Sequence, residues 1–191
     1  EGTLAVTSMV RTEDVLNSTD VDLYRALAGG VTTLNLLHGS ANPIGGQSAI
    51  IKTRWGLDHP HAMLFAGAPR TVKFALGENV TRKNSNNPQD RFPGSRAGVE
   101  TVIVQAFTAA QEYRDAWAAY RRDPRSAPVP PRRDLRLETL VDIMEGRIRV
   151  QAHSYRSDEI LMLMRAVEQF GFKVDVFTHV LEGYRVADEM A

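Results

Sequence analysis

Four polar residues each stand at the carboxyl end of an apolar run. His38 follows residues 31–37, Glu78 closely follows 71–76, His153 follows 148–152 and His179 follows 173–178. Imidazole and carboxylate are the donors that hold a divalent ion when no thiolate is present. The chain has no cysteine, so disulfides and thiolate zinc sites are excluded. Any metal would rest on histidine, carboxylate or modified lysine. In parallel α/β folds the carboxyl ends of the strands converge on one face, and that face carries the active site. Two histidines on neighbouring strand ends, with a carboxylate on a third, form a ligand set for one divalent ion. The same residues can instead cap strand ends or bond to loop backbone, and the pattern alone leaves both readings open.

Other motifs carry less. The glycine-rich stretch 39–47 follows a strand, as phosphate loops do, but it lacks the Gly-Lys-Ser/Thr ending and the dinucleotide spacing. It leads into a strand rather than a helix, so no helix amino terminus awaits an anion there. We read it as a turn packed close to the mouth of the site. His59 and His61 flank Pro60 away from any strand end and read as surface. The arginines at 121, 122, 125, 132, 133 and 136 lie among prolines and acidic residues and read as a solvated linker. Ile160, Leu161, Leu163, Met164 and Val167 recur at helical spacing and read as core.

The elements that position these residues follow from periodicity and punctuation. A helix of about ten residues is expected after Ser18 or Thr19 as its cap, stopped by Gly29 and Gly30. Strands are expected over 31–37, 48–53, 71–76, 148–152 and 173–178. Helices are expected over 98–121, 134–145, from Ser157 to Phe170, and over 184–190. A short helix over 60–66 and a polar loop over 81–98 complete the pass. Strands that alternate with helices predict a parallel sheet with helical crossovers. Near-continuous apolar strands fit a sheet covered on both faces.

The 191 residues suggest one domain, 1–191. Apolar residues make up 43% and charged residues 24%, enough to build a core. The 23 basic residues balance the 23 acidic ones, so nothing in the charge points to nucleic acid or an anionic membrane. No apolar run approaches the ~20 residues that span a bilayer. The first residues show no basic segment followed by an apolar one, and the compartment stays open.

At this point the sequence resembles a known family. Residues 26–33, Ala-Leu-Ala-Gly-Gly-Val-Thr-Thr, look like the helix-to-strand junction "AxxGGVTT" of amidohydrolases. The loop 39–47 and the segment 73–79, Lys-Phe-Ala-Leu-Gly-Glu-Asn, are similar to the imidazolonepropionase-like branch of that superfamily. Residues 153–160 and 179–184 look like its two histidine strand ends. The resemblance implies a partial TIM-type (β/α)8 barrel with about five to six parallel strands and crossover helices. It also implies one or two divalent metals, usually zinc. His153 and His179 would be metal ligands, and Glu78 a ligand or bridging carboxylate on an earlier strand. Lys73 is a weaker candidate, since some relatives use a carboxylated lysine. Arg156 and Tyr184, close behind the two histidines, would touch substrate.

The implied reaction is attack of a metal-activated water on an amide or cyclic-amide C–N bond of a small molecule. The family's His-x-His pair would precede residue 1, and its last-strand aspartate would follow residue 191. A full barrel of this type needs about 250 residues. The expectation is therefore an incomplete barrel, with little catalysis alone, completed by association with other chains. The alternative is a non-catalytic chain that keeps the fold as an assembly partner. Neither nucleic acid nor membrane is expected as a partner.

Overall fold

The computed structural model describes residues 2–81, 91–125 and 129–191. The middle of the polar loop 81–98 and part of the arginine-rich linker lie outside them. Five strands form one sheet in sequence order: β1 (Thr33–Leu36), β2 (Ile44–Lys52), β3 (Thr71–Ala75), β4 (Arg149–Ser154) and β5 (Val174–His179). The helices are α1 (Val21–Ala28), α2 (Gly98–Arg122), α3 (Leu135–Met144), α4 (Ser157–Phe170) and the short α5 (Ala187–Met190). Together they make a half-barrel with helices on its outer side.

The sheet is mixed, which corrects the all-parallel expectation. β3, β4 and β5 are parallel, but β2 is antiparallel to both of its neighbours. The cause is the length and content of the connections. Parallel neighbours need a crossover of a dozen or more residues, usually with a helix. α2 and α3 join β3 to β4, and α4 joins β4 to β5. Only a short loop joins β1 to β2, and only a loop with one turn of 3-10 helix (Pro60–Met63) joins β2 to β3. Those strands must turn back on themselves. Because β2 is reversed on both sides, β1 still runs in the same direction as β3.

β2 also begins earlier than expected, since Ile44 already pairs with Phe74. Gly45 and Gly46 therefore lie in a strand, at an irregularity between Ile44 and Gln47, not in a loop. Main-chain bridges from Val6 and Arg11 flank this first half of β2. Asp20, not Ser18 or Thr19, caps α1: its Oδ1 accepts the Asp22 N–H at 2.9 Å. Ser18 donates to the Leu57 carbonyl instead.

Strand alternation sorts the side chains by face. Val72, Phe74, Val150 and Ala152 point outward into the main core, with Ile103 and Phe107 of α2, Leu140 of α3 and Leu163 of α4. Phe107 stacks on Phe172 with ring centres 4.5 Å apart and on Phe170 at 5.5 Å. On the inner face Ser48 pairs with Thr71 and Lys73 pairs with Gln151. The Asn35 amide of β1 donates to Gln151 Oε1 of β4 at 3.1 Å. Among the described residues no helix is long and apolar enough to cross a membrane.

Candidate active site at the carboxyl ends of the strands

The parallel register of β3 to β5 sets Ala75 opposite His153, His153 opposite Thr178, and Ser154 opposite His179. His38, Glu78, His153 and His179 therefore gather at one end of the sheet. The imidazoles of His153 and His179 are the pair the fold brings together. Their ring centres lie 4.6 Å apart with planes at 67°. Tyr155 closes a triangle, 4.4 Å from His153 and 5.5 Å from His179.

His153 is 1% exposed, and its Nδ1 is buried without a hydrogen-bond partner. The side-chain amide of Asn79 meets Nε2 at 3.0 Å. Burial pushes the His153 pKa down to about 4, helped by the neighbouring His179 and then Lys73. The ring is neutral at physiological pH, which is the state a metal donor requires. Lys73 lies beneath it on the inner face, 7% exposed, with its pKa lowered by burial. No carboxylate pairs with this amine among the described residues.

His38 is held in a different way. Its Nε2 accepts the Gly46 N–H at 2.5 Å, so Nδ1 carries the proton and donates to the Gly39 carbonyl at 2.7 Å. Burial is the main cause of its lowered pKa. A Cβ at position 45 would lie 1.9 Å from this ring and 2.7 Å from the Lys73 carbonyl, so only glycine fits there. Residues 44–47 of this stretch lie in β2 beside His38, not in the expected turn. Both nitrogens of His38 serve the main chain.

Glu78 is engaged by an arginine. Arg96 Nη2 donates to Glu78 Oε2 at 3.1 Å, while Nη1 pairs with Glu159. Glu159, at the start of α4, is 5% exposed. Its Oε2 accepts the N–H groups of Tyr155 at 3.0 Å and Arg156 at 3.3 Å. Gly77 takes φ +70°, and a Cβ there would lie 2.2 Å from Glu159 Oε1. The turn after β3 is thus seated on the carboxylate that opens α4. Among the described residues no group of three histidine, aspartate or glutamate side chains is placed to hold a metal ion.

β5 ends on two consecutive left-handed residues, His179 at φ 68° and Val180 at φ 50°. The Val180 N–H is held by the Ser154 carbonyl at 3.0 Å. The loop that follows is anchored by Glu182, whose Oε2 accepts the Ser157 N–H at 3.0 Å. That bond is the main reason its pKa is lowered.

The two substrate-contact candidates are placed elsewhere. Arg156 pairs with Asp158 at 2.8 Å. Tyr184 is 74% exposed, and its hydroxyl accepts from Arg185. Neither has a ring contact or hydrogen bond to the histidine pair among the described residues. His59 and His61 lie on the surface, as expected. Sequence reasoning missed Tyr155 and Asn79. Tyr155 carries a signal, since it lies two residues beyond His153, just past the end of β4, where strand alternation returns to the same face.

No protein-family model matches the chain. Among curated proteins, the amidohydrolase tasK of Hapsidospora irregularis is 26% identical over 196 residues, spanning 96% of this chain and 20% of that protein. Among solved structures, an amidohydrolase from Thermotoga maritima MSB8 superposes with a TM-score of 0.88 at 31% identity. It covers 100% of this chain and 48% of its own. The chain thus spans about half the length of the solved relative and a fifth of the curated one. Likeness along nearly the whole sequence and a shared backbone together support the amidohydrolase superfamily for this chain.

Proposed function

We propose that this chain serves the hydrolysis of an amide or cyclic-amide C–N bond in a small molecule, at a divalent-metal centre that includes His153 and His179. Zinc is the first metal to test. The observation that carries this reading is the buried, unpartnered Nδ1 of a neutral His153 beside a second imidazole 4.6 Å away. Two imidazoles this close fit a metal with donors ~2 Å from the ion. A bound ion of this kind lowers the pKa of its water and polarises a carbonyl.

The third donor fits less well. Glu78 would have to exchange Arg96 for the ion. Lys73, buried and with no carboxylate partner among the described residues, is the other group that could be modified into a ligand. The remaining ligands and the group that moves the proton would come from outside the residues described. Arg156 and Tyr184, on the loops behind the two histidines, would meet substrate only after those loops rearrange. The second reading, a non-catalytic chain that keeps the fold and associates with other chains, draws its support from the commitment of Glu78 to Arg96.

The test is zinc content after purification without chelator, for the native chain and for His153→Ala and His179→Ala. Near-stoichiometric zinc that both variants lose is the expected result. Zinc at background in the native chain overturns the claim that these two histidines hold a metal without further residues.

A further inference from the structure

We infer that Asn79 is a positioning residue that sets the tautomer of His153: its side-chain oxygen accepts from Nε2–H, leaving the lone pair on Nδ1. The inference concerns the metal-free protein. Its consequence for metal binding rests on the function proposed above.

The oxygen and nitrogen of a side-chain amide fill nearly the same volume, so the surrounding hydrogen bonds decide which faces the imidazole. If the amide nitrogen faced Nε2, that atom would accept and the ring proton would sit on Nδ1. Nδ1 is buried without a partner, on a ring that packs against Tyr155 and His179. An N–H orphaned there loses its hydration with nothing in return. The Asn79 nitrogen Nδ2 lies 3.0 Å from Nε2; turned about its last bond, the amide sets its oxygen there instead, satisfies the ring N–H and leaves Nδ1 a lone pair. Histidines that act at one ring nitrogen are commonly oriented by a bond at the other.

The turn is built to hold Asn79 in that place. Residue 78 on one side is fixed by Arg96, which also pairs with the buried Glu159. Thr81 on the other side returns two bonds to the Glu78 carbonyl, from N at 3.0 Å and from Oγ1 at 2.8 Å. The Leu76 N–H donates to the His153 carbonyl at 3.0 Å, which ties the turn to the very residue Asn79 addresses. Asn79 therefore reaches Nε2 from a backbone fixed at both ends.

The experiment reads imidazole 15N shifts in histidine-labelled, metal-free protein at neutral pH. It compares the native chain with Asn79→Asp and Asn79→Leu, the His153 signals being assigned by their loss in His153→Gln. The native chain and Asn79→Asp are expected to share the Nε2–H tautomer, because a carboxylate can only accept. Asn79→Leu is expected to show a mixture. A native proton on Nδ1, a tautomer that reverses in Asn79→Asp, or an unchanged tautomer in Asn79→Leu would each overturn the inference. Should Asn79→Leu fail to fold, the native and Asn79→Asp spectra still decide it. Zinc titration of the same proteins should show Asn79→Leu weakened by roughly 10–100-fold and Asn79→Asp close to native. A native chain that shows the Nε2–H tautomer yet binds no zinc would sink the metal reading and leave the role of Asn79 intact.

Discussion

The two faces of the sheet come from the same strands by the same alternation, yet they are finished in opposite ways. The outer face buries Val72, Phe74, Val150 and Ala152 against three helices, with four phenylalanine rings in mutual contact. The inner face carries Asn35, Ser48, Thr71, Lys73, Gln151 and His153. Three of these leave a buried polar atom unpaired: Ser48 Oγ, Thr71 Oγ1 and His153 Nδ1. Native proteins rarely tolerate such groups without a role for them. The apolar packing of the chain therefore lies on one side of the sheet and the residues proposed for its chemistry on the other.

That division makes measurable claims. The largest effect belongs to the outer face. Phe107→Ala removes a fully buried ring from the stack and should cost ~3–5 kcal/mol in urea unfolding, with zinc bound per folded molecule unchanged. A loss of zinc stoichiometry in the folded fraction would show that the two faces are not separable. Next comes pH. His153 is neutral when folded, with its pKa near 4, below the ordinary value of 6.5. The unfolded chain takes up this proton first as pH falls. The metal-free protein should therefore hold its full His153 contribution above about pH 6.5 and lose it progressively towards pH 4. The total is on the order of 3 kcal/mol as an upper bound. His153→Gln should flatten that slope in denaturation midpoints measured across the window, and an unchanged slope would place the titration elsewhere. The smallest effect is the most diagnostic. Lys73→Met replaces a buried amine with an apolar side chain of similar length. It should raise stability by about 1 kcal/mol, since no carboxylate among the described residues pairs with the charge. A loss instead would mean that the amine has a structural partner on the inner face.

The three parallel strands and the pairing of His153 with His179 were readable before any coordinates, because each rests on local pattern plus one topological rule. The reversal of β2 was also within reach. No helix lies between residues 37 and 70 long enough to carry a crossover, and that count weighs more than the apolar run that suggested another parallel strand. What sequence could not supply were the partners of Glu78. The choice between a metal and Arg96 depends on where residue 96 falls in three dimensions, and on Glu159 arriving from another helix. Asn79 was hidden for a similar reason. It stands next to a more conspicuous carboxylate, and its reach to His153 exists only once the turn is clamped at both ends.

The hydrogen bond from Asn35 to Gln151 sets a dimension. β1 and β4 are three strand spacings apart, ~14 Å in a flat sheet. Their amides nonetheless meet at 3.1 Å. The sheet must therefore curl until opposite walls of the trough touch, and the joined amides form a floor beneath the end that holds the histidines. A molecule that enters the trough from the carboxyl ends of the strands meets that pair of amides beneath His153.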